Sequence, residues 1–424
     1  MRFCVINLGC RVNRVESDSI IQAYLARGGE LVSAAYAEII VVNTCTVTGE
    51  AEKKTRKAIH RALRANQNAK VIVTGCASNI DPEGYAALDP RVVIVDKMDL
   101  LEVPVDAPAR VGESFPVRVG IKIQDGCDHA CTFCIVHVAR GKAWSRPSDE
   151  IVVEVCALED AGVREIVMTG IDLGSYDEPI PGRSEAGGMV PTLSDIADAD
   201  ACQEGQKRDL AWLLRLLLAR TKECRFRISS IEPISVTDEL IELMARSNGR
   251  ICEHLHLPLQ SGSSKVLSEM ERPYDATFFR DLVDKLRAAM PNISLTTDLM
   301  VAFPGETEED FQESLGLARY ARFSKIHVFR YSKRAGTPAA LRADQVPPEV
   351  SERRARELRE LSFELHQNFG QSLVGTTELV AVEGEGIGMT SSFYRVRVSS
   401  DLEAGSLVPL RLTELDASGI FSSC

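Results

Sequence analysis

The chain has 424 residues, 45% hydrophobic and 26% charged, and its 49 Lys and Arg against 61 Asp and Glu give a net charge of −12. That length exceeds one ordinary core and predicts two or three domains. No apolar run approaches the roughly 20 residues that span a bilayer, and the acidic balance excludes nucleic-acid binding by bulk charge, leaving only local basic faces. The opening Met1–Cys10 carries one basic residue and runs straight into a strand, without the apolar stretch of a secretory signal, so the cytoplasm is the expected compartment. Twelve cysteines in a reducing compartment argue for metal binding or catalysis rather than disulfides.

The first hundred residues alternate apolar runs with helical stretches. Arg2–Asn7, Ile39–Asn43, Val71–Gly75 and Val92–Val95 read as buried parallel strands rich in Val and Ile. Arg14–Gly28 carries Ile20, Ile21, Tyr24 and Leu25 on one face and stops at Gly28-Gly29, and Glu50–Asn66 is a second helix. This order predicts a small doubly wound sheet.

Three cysteines each follow one of these strands: Cys10, Cys45 and Cys76. In an open parallel sheet the C-terminal strand ends converge on one crevice, so the three thiols should meet, with Gly9 and Gly75 letting the backbone approach an ion. An iron–sulfur cluster with one open iron is the sharper reading, and three buried free cysteines is the plain one.

The helix after Cys45 crowds Lys53, Lys54, Arg56, Lys57, Arg61 and Arg64 together. Against an acidic chain and beside a cysteine site, this face reads as a phosphate contact rather than a merely solvated one. Arg353, Arg354, Arg356 and Arg359 are a weaker candidate, diluted by glutamates. Pro104–Pro116 reads as a linker.

A second β/α series follows, with strands expected at Val117–Gln124, Glu165–Gly170, Arg225–Ser230, His254–Leu257, Ser294–Met300 and Ile326–Arg330. Six such strands predict a partial (β/α)6 barrel with its chemistry at the C-terminal strand ends. Directly after the first strand stand Cys127, Cys131 and Cys134, spaced Cys-x3-Cys-x2-Cys. Three thiolates this close can hold three irons of a cubane cluster and leave the fourth open to S-adenosylmethionine. A zinc site completed by His129 or His137 is the alternative.

Other strand ends offer Thr169 and Asp172, Ser229 and Glu232, Gln260 and Ser261, and Asp298, all candidates for the polar ends of a cofactor and each equally a turn or cap residue. Tyr176–Arg208 has no clear period and reads as a disordered insertion. Glu349–Gln371 is an amphipathic helix with Leu358, Leu361, Leu365 and Phe369 at helical spacing. Short strands at Glu378–Glu383, Tyr394–Ser399 and Leu407–Leu412 then form a small all-β domain. Cys4, Cys156, Cys202, Cys224, Cys252 and Cys424 have no convergent partners and read as structural or incidental.

The loop around Cys127 resembles the radical-SAM motif, and two cysteine sets in this order resemble the methylthiotransferase family. Nearly the whole chain carries the resemblance, including Leu8-Gly-Cys10-Arg-Val-Asn13, Asn43-Thr-Cys45, Leu257-Pro-Leu-Gln260-Ser-Gly-Ser263, Ala302-Phe-Pro-Gly305-Glu and Val328-Phe-Arg-Tyr-Ser332. The resemblance implies an N-terminal cluster domain over 1–103, a radical-SAM barrel over 113–345 with an insertion at 176–208, a linker helix over 346–372 and a TRAM-like domain over 373–424. It implies two [4Fe-4S] clusters, S-adenosylmethionine, a tRNA substrate and an electron donor of flavodoxin or ferredoxin type. The stretch from Asn43 to Ile59 is most similar to the subgroup acting on N6-threonylcarbamoyladenosine, whose carboxylate calls for cations such as Lys53, Arg56, His137, Arg140 or Arg330. Isopentenyl-adenosine in tRNA and an aspartate of a ribosomal protein are the rival substrates within the family, and an iron–sulfur RNA-binding protein without activity is the rival outside it. Three departures stand out: His137 occupies a place where the family shows proline, the insertion after Tyr176 is unusual for the family, and the TRAM-like segment is net −4, with seven acids against three arginines.

Overall fold

The computed structural model describes residues 1–46, 49–101, 117–178 and 208–423. The linker expected over 104–116, nearly all of the insertion expected over 176–208, and Cys202 and Cys424 lie outside the described residues. Two compact units emerge. One comprises Met1–Arg110, Asp125–Ala143 and Tyr331–Gln345, and the other Val111–Gln124, Trp144–Arg330 and Val346–Cys424.

The first unit is built on a five-stranded parallel sheet. Its spatial order is Glu30–Leu31, Arg2–Asn7, Ile39–Thr44, Lys70–Gly75, Val92–Ile94. Helix Arg11–Ala26 buries Ile20, Ala23 and Tyr24, and helix Gly49–Ala65 buries Ile59, Ala62 and Leu63. Ile40, Val42, Val71 and Val73 sit in one core cluster with the second helix, while Val41 and Ile72 pack on the other face with Phe3 and Tyr24. Burial on both faces is why these strands read as continuous Val and Ile rather than as alternation. The short edge strand Glu30–Leu31 escaped the pattern because both its residues are exposed. This strand order reverses direction between Arg2–Asn7 and Ile39–Thr44, and ligands of such sheets bind outside the carboxyl ends at that switch point.

The second unit carries two three-stranded parallel sheets. Glu165–Thr169 lies between Arg118–Lys122 and Arg225–Ile228, and Ser294–Val301 lies between His254–His256 and Lys325–Arg330. Bridges Phe226↔Ile251 and Ser230↔His256 join them into one run of six strands, the partial barrel expected from the sequence. A closed five-stranded barrel follows, ordered Thr377–Gly384, Ile387–Thr390, Arg395–Arg397, Ile420–Ser423, Leu407–Leu415. Two of its strands, Ile387–Thr390 and Ile420–Ser423, were not legible as strands, because glycine and serine make their stretches read as turns. Helix Pro348–Leu373 ends inside this small barrel, with Phe369 and Leu373 joining Val380, Tyr394, Val396, Leu412 and Phe421 in its core.

Glu165, Arg225 and Arg227, all fully buried, tie the two barrels together. Arg227 Nε donates to Glu165 Oε1 at 2.7 Å and Arg225 Nε to Oε2 at 2.8 Å. The same guanidinium groups donate to the carbonyls of Met389, Thr390 and Ser391 at 2.9–3.0 Å. Two cations thus share one carboxylate and find their remaining partners in the backbone, which is how buried charge becomes tolerable. Among the described residues no helix is long and apolar enough to cross a membrane.

Candidate active site

Cys45 directly follows strand Ile39–Thr44, Cys76 directly follows Lys70–Gly75, and Cys10 caps the helix after Arg2–Asn7. The three sit at the ends of adjacent strands, as the sequence pattern required. Cys45 and Cys76 are buried, and Cys10 is exposed. Asn13, fully buried, fixes the loops: its Nδ2 donates to the carbonyls of Leu8 at 2.9 Å and Thr44 at 2.7 Å. Its Oδ1 lies 3.7 Å from Cys10 Sγ and 4.0 Å from Cys76 Sγ, so two of the thiols converge on one atom. Gly9 and Gly75 hold φ of +104° and +95°, conformations that a side chain rarely adopts. Burial pushes the Cys76 thiol up to about 11, against the pull of the Arg140 cation, and the neighbouring Cys10 and Cys45 add to the rise. Buried thiols such as Cys45 and Cys76 become stable as thiolates only with positive charge beside them.

Cys127, Cys131 and Cys134 belong to the same compact unit. Cys127 N–H donates to Gly141 O at 3.1 Å and Cys134 N–H to Cys131 O at 3.0 Å, closing the loop on itself. Gly126 touches the Lys142 backbone so closely that a β-carbon there would lie 1.9 Å from its carbonyl oxygen. A depression of about 280 Å3 opens beside Cys127, lined also by Asp128, His129, Ala130, His137, Gly141 and Lys142.

Between the two cysteine sets stands a buried charge network that sequence reading missed. Arg140, on helix Val136–Arg140, donates from Nε to Cys76 Sγ at 3.1 Å, from Nη1 to Glu16 at 3.0 Å and Asp125 at 2.8 Å, and from Nη2 to Asn13 at 2.6 Å. Lys97 completes the set, 2.9 Å from Glu16 and 2.8 Å from Asp125. Arg334, from the separate stretch Tyr331–Gln345, donates to Thr46 O and lies 3.5 Å from Glu52, within electrostatic reach of both Cys45 and Cys134. Ala339 N–H donates to Thr132 O at 3.0 Å, so this stretch pins both cysteine loops. Only Asp125, two residues before Cys127, and Asn13, three after Cys10, carried a local signal; Lys97 and Arg334 are distant in sequence from every cysteine ligand.

The strand-end candidates lie in the second unit. Thr169 is buried with its hydroxyl donating to Ile121 O at 2.9 Å, which makes it a strand clasp. Asp172 and Ser229 are buried; Gln124 Oε1, in turn, accepts the amides of Ile171 at 3.0 Å and Asp172 at 2.8 Å. Glu232 is ion-paired to Arg272. Gln260 holds φ +66° and exchanges backbone hydrogen bonds with Asp298 and Met300, both 2.8 Å. Asp298 lies 3.3 Å from His256 Nε2, and with His327 the three ligand atoms fall within 4.8 Å of one another. That group offers imidazole donors and one carboxylate to a polar ligand.

On the basic helix Lys53, Lys54, Lys57, Arg61 and Arg64 are exposed. Arg56 differs, because it pairs with Asp81 at 3.2 Å and stacks on Tyr85 at 4.8 Å. Arg140 likewise is not a substrate-facing cation, since its fork is committed to Glu16 and Asp125. Cys224 and Cys252 are buried, and Cys156 and Cys4 half-buried; burial raises the pKa of all four thiols, as in inert core cysteines.

Comparison with known proteins finds relatives over both regions that carry the cysteine sets. Residues 121–318 match the Radical SAM superfamily and residues 2–96 match Uncharacterized protein family UPF0004. The chain is 38% identical to the threonylcarbamoyladenosine tRNA methylthiotransferase MtaB of Bacillus subtilis, over 85% of this chain and 80% of the relative. The chain belongs to the radical-SAM methylthiotransferase family. It is also 33% identical to MtaB of Thermotoga maritima, over 98% and 95% of the two chains. The tRNA-2-methylthio-N(6)-dimethylallyladenosine synthase of Carboxydothermus hydrogenoformans is 32% identical, over 97% and 96%. A solved structure of TsrM, a radical S-adenosylmethionine methyltransferase from Kitasatospora setae, shares the fold with TM-score 0.55 at 14% identity, covering 80% of this chain and 77% of that one. As a radical-SAM methylthiotransferase the protein is a transferase that works with S-adenosylmethionine and iron–sulfur clusters. Its thiols suit such clusters: Cys10 and Cys76 approach the same Asn13 oxygen, Cys45 has room only because Gly9 lacks a side chain, and the other three lie on one closed loop.

Proposed function

We propose that this methylthiotransferase attaches a methylthio group to N6-threonylcarbamoyladenosine beside the anticodon of tRNA. The observation that carries the reading is the placement of both cysteine triads in one compact unit, with Arg140 bonded to Cys76 on one side and to Asp125 beside Cys127 on the other. Cys127, Cys131 and Cys134 would hold the cluster that provides reducing chemistry toward S-adenosylmethionine, and Cys10, Cys45 and Cys76 would hold the one that provides sulfur. Everything else falls to side chains of this chain. Asp172, Ser229, Glu232, Gln260 and Asp298 sit at strand ends where they meet the polar groups of S-adenosylmethionine. Thr169 serves the site by clasping its strand to Ile121. Lys53, Lys54 and Lys57 face solvent on one helix and contact tRNA phosphates, with Arg56 holding that helix to Asp81. An electron donor of flavodoxin or ferredoxin type docks from outside.

The carboxylate-bearing substrate is favoured over the apolar isopentenyl one by the depression beside Cys127, whose His129, His137 and Lys142 offer cations and donors. The Bacillus subtilis and Thermotoga maritima relatives named for threonylcarbamoyladenosine stand at 38% and 33% identity and the Carboxydothermus hydrogenoformans one named for dimethylallyladenosine at 32%, a margin too small to assign the substrate, so chemistry must decide between them. Matched tRNAs carrying one or the other modification, incubated with reconstituted enzyme and analysed as nucleosides by mass spectrometry, test the reading. Turnover of the threonylcarbamoylated tRNA is expected; turnover of only the isopentenylated one overturns the substrate while leaving the family intact.

A further inference from the structure

We infer that Arg140 is a positioning residue for the sulfur-bearing centre, setting the reduction potential of the group held by Cys76 and locking that cysteine to the loop of the second triad. The inference rests on the reading of Cys10, Cys45 and Cys76 as cluster ligands. Hydrogen bonds to ligand sulfurs are among the few levers a protein has over cluster potential, because they draw electron density from the sulfur and favour the reduced, more negative state.

Arg140 is placed to act as that lever. Its Nε lies 3.1 Å from Cys76 Sγ, and its side chain is 2% exposed, so the bond operates away from water. The guanidinium cannot swing away. Nη1 is held by Glu16 and Asp125, and Nη2 by Asn13 at 2.6 Å and Glu16 at 3.3 Å, which leaves all three nitrogens engaged in one planar fork. Lys97 balances the second carboxylate, so Arg140, Lys97, Glu16 and Asp125 cancel in charge, and the Cys76 sulfur is left facing an N–H dipole held in place. Asn13, Glu16 and Cys76 belong to the N-terminal sheet and its helix, whereas Asp125 and Arg140 flank the Cys127–Cys134 loop. One side chain therefore fixes one triad against the other. An ordinary buried ion pair would need no sulfur partner.

The test is an EPR-monitored redox titration of reconstituted wild-type, Arg140→Gln and Arg140→Lys enzyme. In Arg140→Gln the midpoint potential of the Cys10/Cys45/Cys76 cluster is expected to fall while that of the Cys127/Cys131/Cys134 cluster stays, with Arg140→Lys between wild type and Gln. Equal midpoints in all three proteins overturn the inference. A second measurement needs no change at Arg140: pulsed EPR of reduced Arg334→Lys enzyme carrying isotopically labelled arginine nitrogen is expected to show a nitrogen coupling to the first cluster, and its absence overturns the inference. If instead wild-type enzyme holds about four irons per chain and Cys76→Ala loses none, the two-cluster reading beneath it has failed.

Discussion

Gly9 lies against Cys45 so closely that a β-carbon added to it would stand 2.5 Å from the cysteine's Cβ and 2.6 Å from its Sγ. Two sequence-distant loops therefore touch at one thiol of the proposed cluster site. Gly9→Ala adds both that clash and the strain of φ +104°, a conformation that costs a side chain of order 1–3 kcal/mol. The expected outcome is loss of about one cubane, roughly four irons per chain, with cleavage of S-adenosylmethionine retained. Full iron content in the variant, by metal analysis, would show that the glycine serves only the turn.

Replacing Cys127, Cys131 or Cys134 with Ala is expected to abolish formation of 5′-deoxyadenosine, because each removes a thiolate from the one closed loop. Chromatography of the small-molecule products gives the answer directly. Wild-type rates in all three variants would move the radical chemistry elsewhere.

The exposed face of helix Gly49–Ala65 makes a separate expectation. Changing Lys53, Lys54 and Lys57 to Glu should weaken tRNA binding and flatten its salt dependence, by about 0.7–0.9 in the log–log slope for each phosphate no longer neutralised. Arg56 is best left in place, since its removal would strip Asp81 and Tyr85 of their partner and confuse affinity with stability. Filter binding across a salt series is the measurement, and an unchanged slope returns the lysines to an ordinary solvated face.

Glu165 offers a prediction about stability and pH. Burial opposes its charge, but Arg227 and Arg225 overcome that and hold its carboxyl at about 2, below the usual 4.5. A lowered folded value means stabilisation that is complete above the unfolded value and is lost as pH falls from about 4.5 toward 2. Glu165→Gln strands two buried guanidinium groups and should cost roughly 3–5 kcal/mol near neutrality. Denaturant melts of wild type and variant before cluster reconstitution should differ most at pH 7 and converge in acid. A difference independent of pH would place the effect in packing rather than charge.

Much of this molecule is written locally. The strands ending at Cys45 and Cys76 announce themselves as Val and Ile runs because the sheet is covered on both faces. The Cys127, Cys131 and Cys134 loop announces itself by spacing alone. The Arg140 network does not, because its members lie on separate stretches of chain, from Asn13 to Arg140, and long-range ion pairs leave no periodic trace. An arginine near a cysteine loop reads naturally as a substrate donor; two buried carboxylates claim Arg140 instead. Strand Ile387–Thr390 was missed because Gly384, Gly386 and Gly388 make its stretch read as a turn, and Ile420–Ser423 because Gly419 and its closing serines do the same.

The most direct test of the central claim, that two cysteine triads divide radical generation from sulfur insertion, is a single assay of Cys76→Ala enzyme with tRNA that reads both products by mass spectrometry. Uncoupled 5′-deoxyadenosine with no methylthiolated nucleoside is the expected result. Normal methylthiolated product from this variant, or loss of both products with the iron of the Cys127 loop intact, would contradict it.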